Sequence, residues 1–221
     1  MKDHPLLFSA PMVRANLEER KTQTRRIYTP QPEELGDGSC RTNGHQGNTD
    51  YMMRDVAPRF FTKIKVGDRL WVREAHALLP RTAYRGSIGT GTIQQVEHPT
   101  DGYTAAVFRE GFDRSGRPLW RPSIHMPRWA SRLTLIVTDV KVERLQDISE
   151  ADAIAEGIER DTDGWKDYLM PSTQCCGSPI DSYRSLWDHV NGPGAWDKNP
   201  WVVAYTYRPI FKNIDHISEV A

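Results

Sequence analysis

Over residues 132–145 the apolar side chains fall on every second position. Leu133, Leu135 and Val137 alternate with other residues, and Val140 and Val142 resume the pattern after Asp139. A period of two puts one row of side chains on a single face of an extended strand, so the segment predicts a long strand with one buried face and a bulge or bend near Asp139. A face of that kind has to be covered, and the rest of the chain supplies more strands than helices. Residues 6–8, 22–27, 69–74, 103–108 and 201–207 all read as short strands. The turn Lys65-Val66-Gly67-Asp68 introduces the third of these.

Only three helices are predicted. Ser9-Ala10-Pro11 reads as a helix start, with Ser as cap and Pro tolerated in the first turn, leading into 11–20 with Val13 and Leu17 on its inner face. Lys21 falls at its C-terminal end, where a cation suits the helix dipole. Ser149-Glu150-Ala151-Asp152 is a capping box for a short helix with Glu156 as its last residue and Gly157 as its stop. Tyr183, Leu186, Trp187 and Val190 recur at helical spacing, before Asn191-Gly192-Pro193 ends the run. Helices do not alternate regularly with strands, which argues against a doubly wound parallel sheet and for a mixed or barrel-like α+β fold.

The remaining segments read as insertions. Residues 28–59, with Pro30, Pro32, Gly36, Gly38, Gly44 and Gly47, predict a long surface loop. Residues 77–131 mix short strands with turns at Gly89, Gly91, Gly102 and Gly116, and 160–180 carries turn residues and the Cys175-Cys176 pair. The tail after Pro209 reads as solvent-facing. Within 120–129, two Trp and two Pro stand among cations with almost no acid. That composition suits either a lid that stacks an aromatic ring on a base or a stiff segment whose Trp residues fill the core.

Composition limits the function. Lys+Arg and Asp+Glu both number 29 in 221 residues, so the formal net charge is zero and a protein that coats DNA is not expected. Contact with nucleic acid would have to come from local clusters of Arg and Lys. The cysteines are Cys40, Cys175 and Cys176, an odd count without zinc spacing, so neither a disulfide framework nor a metal is expected. There is no signal-peptide pattern and no apolar stretch long enough for a bilayer, which makes a cytoplasmic protein without membrane contact the expectation.

At Glu19-Arg20-Lys21-Thr22-Gln23-Thr24-Arg25-Arg26 the chain resembles the ASCH family, whose members carry a helix ending in Gly/Glu-Arg-Lys-Thr-x-Thr-x-Arg. The resemblance continues at Lys65-Val66-Gly67-Asp68-Arg69-Leu70, at 140–158 and at 201–207, about half of the chain. The segments 120–132 and 186–201 are similar to a longer subgroup found mainly in phages and prophages. The resemblance implies a single domain of α+β class over 1–221, a PUA-like mixed β-barrel with flanking helices and insertions at about 28–62, 76–131 and 159–181.

It also implies a chemistry. The family includes a metal-independent, cofactor-free amidohydrolase that removes the acetyl group from N4-acetylcytidine with a Thr, a Lys and a Glu. Carried onto this sequence the catalytic group is Lys21, Thr24 and Glu156, with Glu150 as the alternative to Glu156 if the alignment of the short helix shifts. A Thr hydroxyl needs a neighbouring base to attack at neutral pH, and a desolvated Lys can be that base. Glu156 can then pass a proton to the leaving amine or position water, and Lys21 can alternatively stabilise an oxyanion. Alternation along 22–25 puts Thr22 and Thr24 on one face and Gln23 and Arg25 on the other. Candidate contacts to a base or phosphate are Thr22, Arg25, Arg26, Arg69, Arg73, Glu74, Arg121, His125, Arg128 and Trp129. Glu74 can instead pair with Arg73. The expected partner is a modified nucleoside or a nucleic acid, RNA or DNA. Two rivals use the same residues: a non-catalytic reader that holds a flipped or unpaired base, and a ribonuclease in which Lys21 and the arginines stabilise the transition state.

Overall fold

The structure is a computed structural model that describes residues 1–34, 39–43, 49–53, 62–84, 94–171 and 175–217. It is of α+β class, with few helices and with mixed and antiparallel sheets, none of them closed into a barrel among the described residues. The chain divides into two compact units, and it passes between them at 19/20, 66/67, 136/137 and 207/208.

The first unit gathers 1–19, 67–136 and 208–221. Strand β1 (Asp3–Leu7) pairs in parallel with β6 (Arg69–Arg73), and β6 pairs antiparallel with the first residues of β10 (Thr134–Arg144). Gly67 supplies the φ of +86° that the turn into β6 requires. Helix α1 (Ala10–Leu17) has Pro at its first turn as expected, but the Ser9 side chain makes no capping bond. It also stops earlier than its sequence pattern suggests, because Glu19 takes a left-handed φ of +57°. Strands β7 (His76–Pro80), β8 (Gln95–Glu97) and β9 (Thr104–Phe108) form a separate antiparallel sheet in the order β7-β9-β8. Ala106 and Phe108 pack there with Met126 and Ala130.

The tail after Pro209 is not solvent-facing throughout. Ile214 is fully buried, and Asn213 Nδ2 donates to the carbonyls of Arg128, Trp129 and Ser131 at 2.8–2.9 Å. A side-chain amide that shares its two N–H groups among three carbonyls of an irregular segment fixes the chain without apolar periodicity, so the pattern of the tail gives no sign of it.

The second unit gathers 20–66 and 137–207. Here β10 continues beside β14 (Trp201–Ile210), and β14 pairs antiparallel with β2 (Gln23–Ile27), with Tyr205 opposite Thr24 and Val203 opposite Arg26. The segment expected to be a loop over 28–59 contains three strands, β3 (Glu33–Glu34), β4 (Ser39–Asn43) and β5 (Thr49–Met53), in an antiparallel sheet. Backbone pairing needs no regular alternation of apolar residues, so short strands of this kind escape a search for it. The glycines at 36, 38, 44 and 47, like Gly89 and Gly91, lie outside the described residues.

Helix α2 (Glu150–Ala155) starts where the capping box places it. The Asp152 amide donates to Ser149 Oγ at 3.1 Å. It ends at Glu156 because Gly157 turns to φ +85°. The small strands β11 (Arg160–Asp161), β12 (Gly164–Lys166) and β13 (Cys175–Cys176) then lead to α3 (Pro179–Asn191). The inner face of α3 buries Tyr183 and Trp187 against Leu145, Ile148, Ala153, Trp165, Trp196 and Val202, and its contacts with α2 fix the end of that helix. Val190, expected on the same face, is half exposed at the helix end. Among the described residues no helix is long and apolar enough to cross a membrane.

Candidate functional site

The second unit buries an unusual number of charges around one point. Lys21 is 1% exposed, and its ammonium donates to Glu156 Oε2 and to the Glu156 carbonyl, each at 2.7 Å. It is therefore not the solvated helix-end cation that its sequence position suggests. The helix has already ended at Leu17, and the chain carries Lys21 to the last residue of α2 instead. The Thr22 amide donates to the Ala155 carbonyl, and the Thr22 carbonyl accepts from the Tyr207 amide, both at 2.9 Å. Thr22 thus serves through its backbone, pinning the C-terminal turn of α2 to the start of β2.

Arg25 holds the other side of the same carboxylate. Its Nη1 donates to Glu156 Oε1 at 3.1 Å and to Gln23 Oε1, and its Nη2 and Nε donate to Glu143 Oε1 at 2.7 and 3.2 Å. Asp152 Oδ2 lies 3.4 Å from Nη2, while Gln23 Nε2 donates to Asp152 Oδ1 and to Thr206 Oγ1, both at 3.1 Å. The Arg25 guanidinium also sits 5.9 Å from the centre of the Tyr183 ring. Glu156 is consequently gripped at both oxygens, by Lys21 on one and Arg25 on the other. Neither charge could persist here alone, because an uncompensated buried ion costs several kcal/mol, on the order of 3–5 when one partner is removed.

Burial lowers the Lys21 pKa from 10.5. Glu156 opposes the shift and the cations Arg26 and Arg25 add to it. Burial likewise presses Arg26 below its ordinary value, against the pull of Glu156, Tyr183, Tyr207 and Tyr205. Tyr183 is raised well above 10 by the same desolvation, with Glu156 adding to it.

Thr24 is fully buried, and its hydroxyl has no hydrogen-bond partner among the described residues. Alternation along β2 sends it to the face opposite Gln23 and Arg25, as the sequence predicts. Lys21 and Glu156 are joined by hydrogen bonds, then, and Thr24 is not bonded to either. Sequence reasoning missed Glu143 and Asp152 as members of the cluster. Glu143 was hidden by the expectation that Val140 and Val142 share the buried face. The buried positions are Val140 and Glu143, because Arg25 faces that point of β10. The sequence pattern assigns Asp152 to the capping box alone, whereas in the structure its amide donates to Ser149 and its carboxylate accepts from Gln23.

The other candidate contacts belong to the first unit, and most are engaged there. Arg69 grips Asp3 through Nε and Nη2 at 2.7 and 2.9 Å. Arg128 bridges Asp3 and Asp215 at 2.6 and 2.7 Å. Arg73 donates to the Ile124 carbonyl and lies 5.4 Å from the Trp71 ring centre. Glu74 is buried and pairs with Arg132, at 2.8 and 2.9 Å, rather than with its neighbour Arg73, and burial raises its pKa against the pull of Arg132. Arg121 exchanges two backbone bonds with His76. Trp129 is half-buried, edge-on to His98 with ring centres 4.7 Å apart, while His125 is exposed. Among the described residues no group of three or more His, Cys, Asp or Glu is arranged to hold a metal. No family model, curated protein or solved structure matches the chain.

Proposed function

We propose that the chain is an ASCH-type domain of PUA-like fold, a cytoplasmic, metal-independent amidohydrolase that acts on N4-acylated cytidine or a related modified nucleoside. The observation that carries this reading is the lysine removed from water against a carboxylate, Lys21 Nζ to Glu156 Oε2 at 2.7 Å, beside a strand whose Thr24 hydroxyl is buried and unbonded. Burial brings Lys21 closer to the neutral form that a general base needs. A buried hydroxyl without a partner carries a cost that a role in chemistry would explain.

In the proposed reaction Thr24 Oγ bonds to the acyl carbon and gives its proton to neutral Lys21. The carbon–nitrogen bond then breaks, and the exocyclic nitrogen leaves as an amine after taking a proton delivered through Glu156. Water next attacks the acyl-threonine, leaving the free acid and restoring the hydroxyl. Arg26, on the Thr24 face of β2, is the candidate for a substrate contact. The test is turnover of N4-acetylcytidine by the wild type and by Lys21→Ala, Thr24→Ala and Glu156→Gln, each of which is expected to lower kcat at least about a hundredfold.

A second reading has an observation of its own. Lys21 donates to both the carboxylate and the carbonyl of Glu156, which is the bonding of a structural ion pair. On that reading the unit is a non-catalytic reader of RNA or modified DNA. It would then bind an oligonucleotide with an affinity that falls steeply with salt.

A further inference from the structure

The first unit holds a cavity of about 720 Å³ that shares no lining residue with the Lys21 cluster. That volume lies within the range of about 300–1,000 Å³ typical of small-molecule sites. Its walls are β8, Phe108 at the end of β9, the end of α1, Arg132, and the segment that follows β14.

Arg132 is the fixed element. Its side chain is 9% exposed; Nε and Nη2 donate to Glu74, Nη2 donates also to the Glu110 carbonyl at 3.1 Å, and the guanidinium lies 4.2 Å from the centre of the Phe108 ring. Its charge is balanced by Glu74, so what it adds to the cavity is a rigid flat surface rather than a free cation. Phe211, 47% exposed, gives the cavity a second aromatic ring. The wall after β14 carries the exposed cation Lys212 together with His216, and β8 carries the exposed carboxylate Glu97, whose Oε2 lies 3.5 Å from Arg81 Nη1 and whose Oε1 is left for a donor. A ligand that satisfies all of these is a flat ring with an N–H donor toward Glu97 and an anion toward Lys212.

We propose that this cavity binds a 5′-mononucleotide whose base bears an exocyclic amine, with the amine donating to Glu97, the ring against Arg132 and Phe211, and the phosphate at Lys212 and His216. The site is independent of the amidohydrolase reading.

The test is a titration of the isotope-labelled full chain, followed by NMR, with adenosine 5′-monophosphate, uridine 5′-monophosphate and inorganic phosphate in turn. Saturable shifts with the adenine nucleotide are expected, at least about fivefold weaker with the uracil nucleotide and without saturation for phosphate. Lys212→Ala and Phe211→Ala should each weaken the adenine nucleotide about tenfold. Glu97→Gln should erase the preference between bases. The three cavity side chains are exposed, so an unchanged Tm confirms that the variants fold. Failure of the adenine nucleotide to saturate would overturn the proposal, as would phosphate binding as well as the nucleotide, or undiminished binding in the folded Lys212→Ala variant.

Discussion

Lys21 and Arg25 converge on one carboxylate, and each has consequences at the scale of a single residue. Glu156 compensates two buried cations at once. Glu156→Ala is therefore expected to cost about 3–5 kcal/mol, read from the urea midpoint at constant m; a loss below about 1 kcal/mol would mean that water already reaches the cluster. Lys21 also sets a pH dependence. A base must be neutral to accept a proton, and burial holds the Lys21 pKa below 10.5. The kcat of the proposed reaction should accordingly rise with pH to a plateau, with an apparent pKa below 10.5. A rate that falls as pH rises through the same range would instead mark Lys21 as acting in its charged form. Lys21 and Glu156 were found in the sequence by resemblance, since neither periodicity nor spacing distinguishes them from solvated helix residues. Arg25 was named there as a contact to substrate. Its bonds to Glu143, Gln23 and Glu156 give it the different task of orienting the carboxylate.

At the scale of elements, the short helix α2 sets the geometry of the cluster. It has six residues, too few to be stable alone, and it is held by the Ser149 cap at one end and by Gly157 at the other. Both features are legible in Ser149-Glu150-Ala151-Asp152 and in Gly157, because capping chemistry is local. Gly157→Ala puts a side chain at φ +85° and should destabilise the protein by about 1–2 kcal/mol. It should lower the proposed activity more than an equally destabilising change elsewhere, because Glu156 is the adjacent residue; a thermal melt paired with a rate measurement separates the two effects. Other elements were less legible. Strands β3, β4 and β5 pair through backbone, with no clean alternation in their sequence, and the tail is fixed by the amide of Asn213. Glu143 on β10 broke the apolar pattern for a reason that resides on another strand, the guanidinium of Arg25 on β2.

Taken whole, the chain has equal numbers of cations and anions, and the described cations pair largely with nearby carboxylates, as Arg69, Arg128 and Arg132 do. A molecule without a net field does not steer a charged partner from a distance. For an uncharged nucleoside, kcat/KM should then stay within about twofold between 50 and 500 mM salt; a steep decline would favour a polyanionic substrate. The alternating long strand and the excess of strands over helices were enough to predict the α+β class. The division into two units, each assembled from separated stretches of chain, leaves no mark in composition, because two crossings fall inside the continuous strands β10 and β14 and the other two fall at turns. The central claim is that the buried Lys21–Glu156 pair performs amide hydrolysis on a modified cytidine. Turnover of N4-acetylcytidine, followed by chromatography for the wild type and for Lys21→Ala, tests it most directly. Release of cytidine by the wild type and its loss in the folded variant is the predicted result; no release by the wild type, or equal release by both proteins, would contradict it.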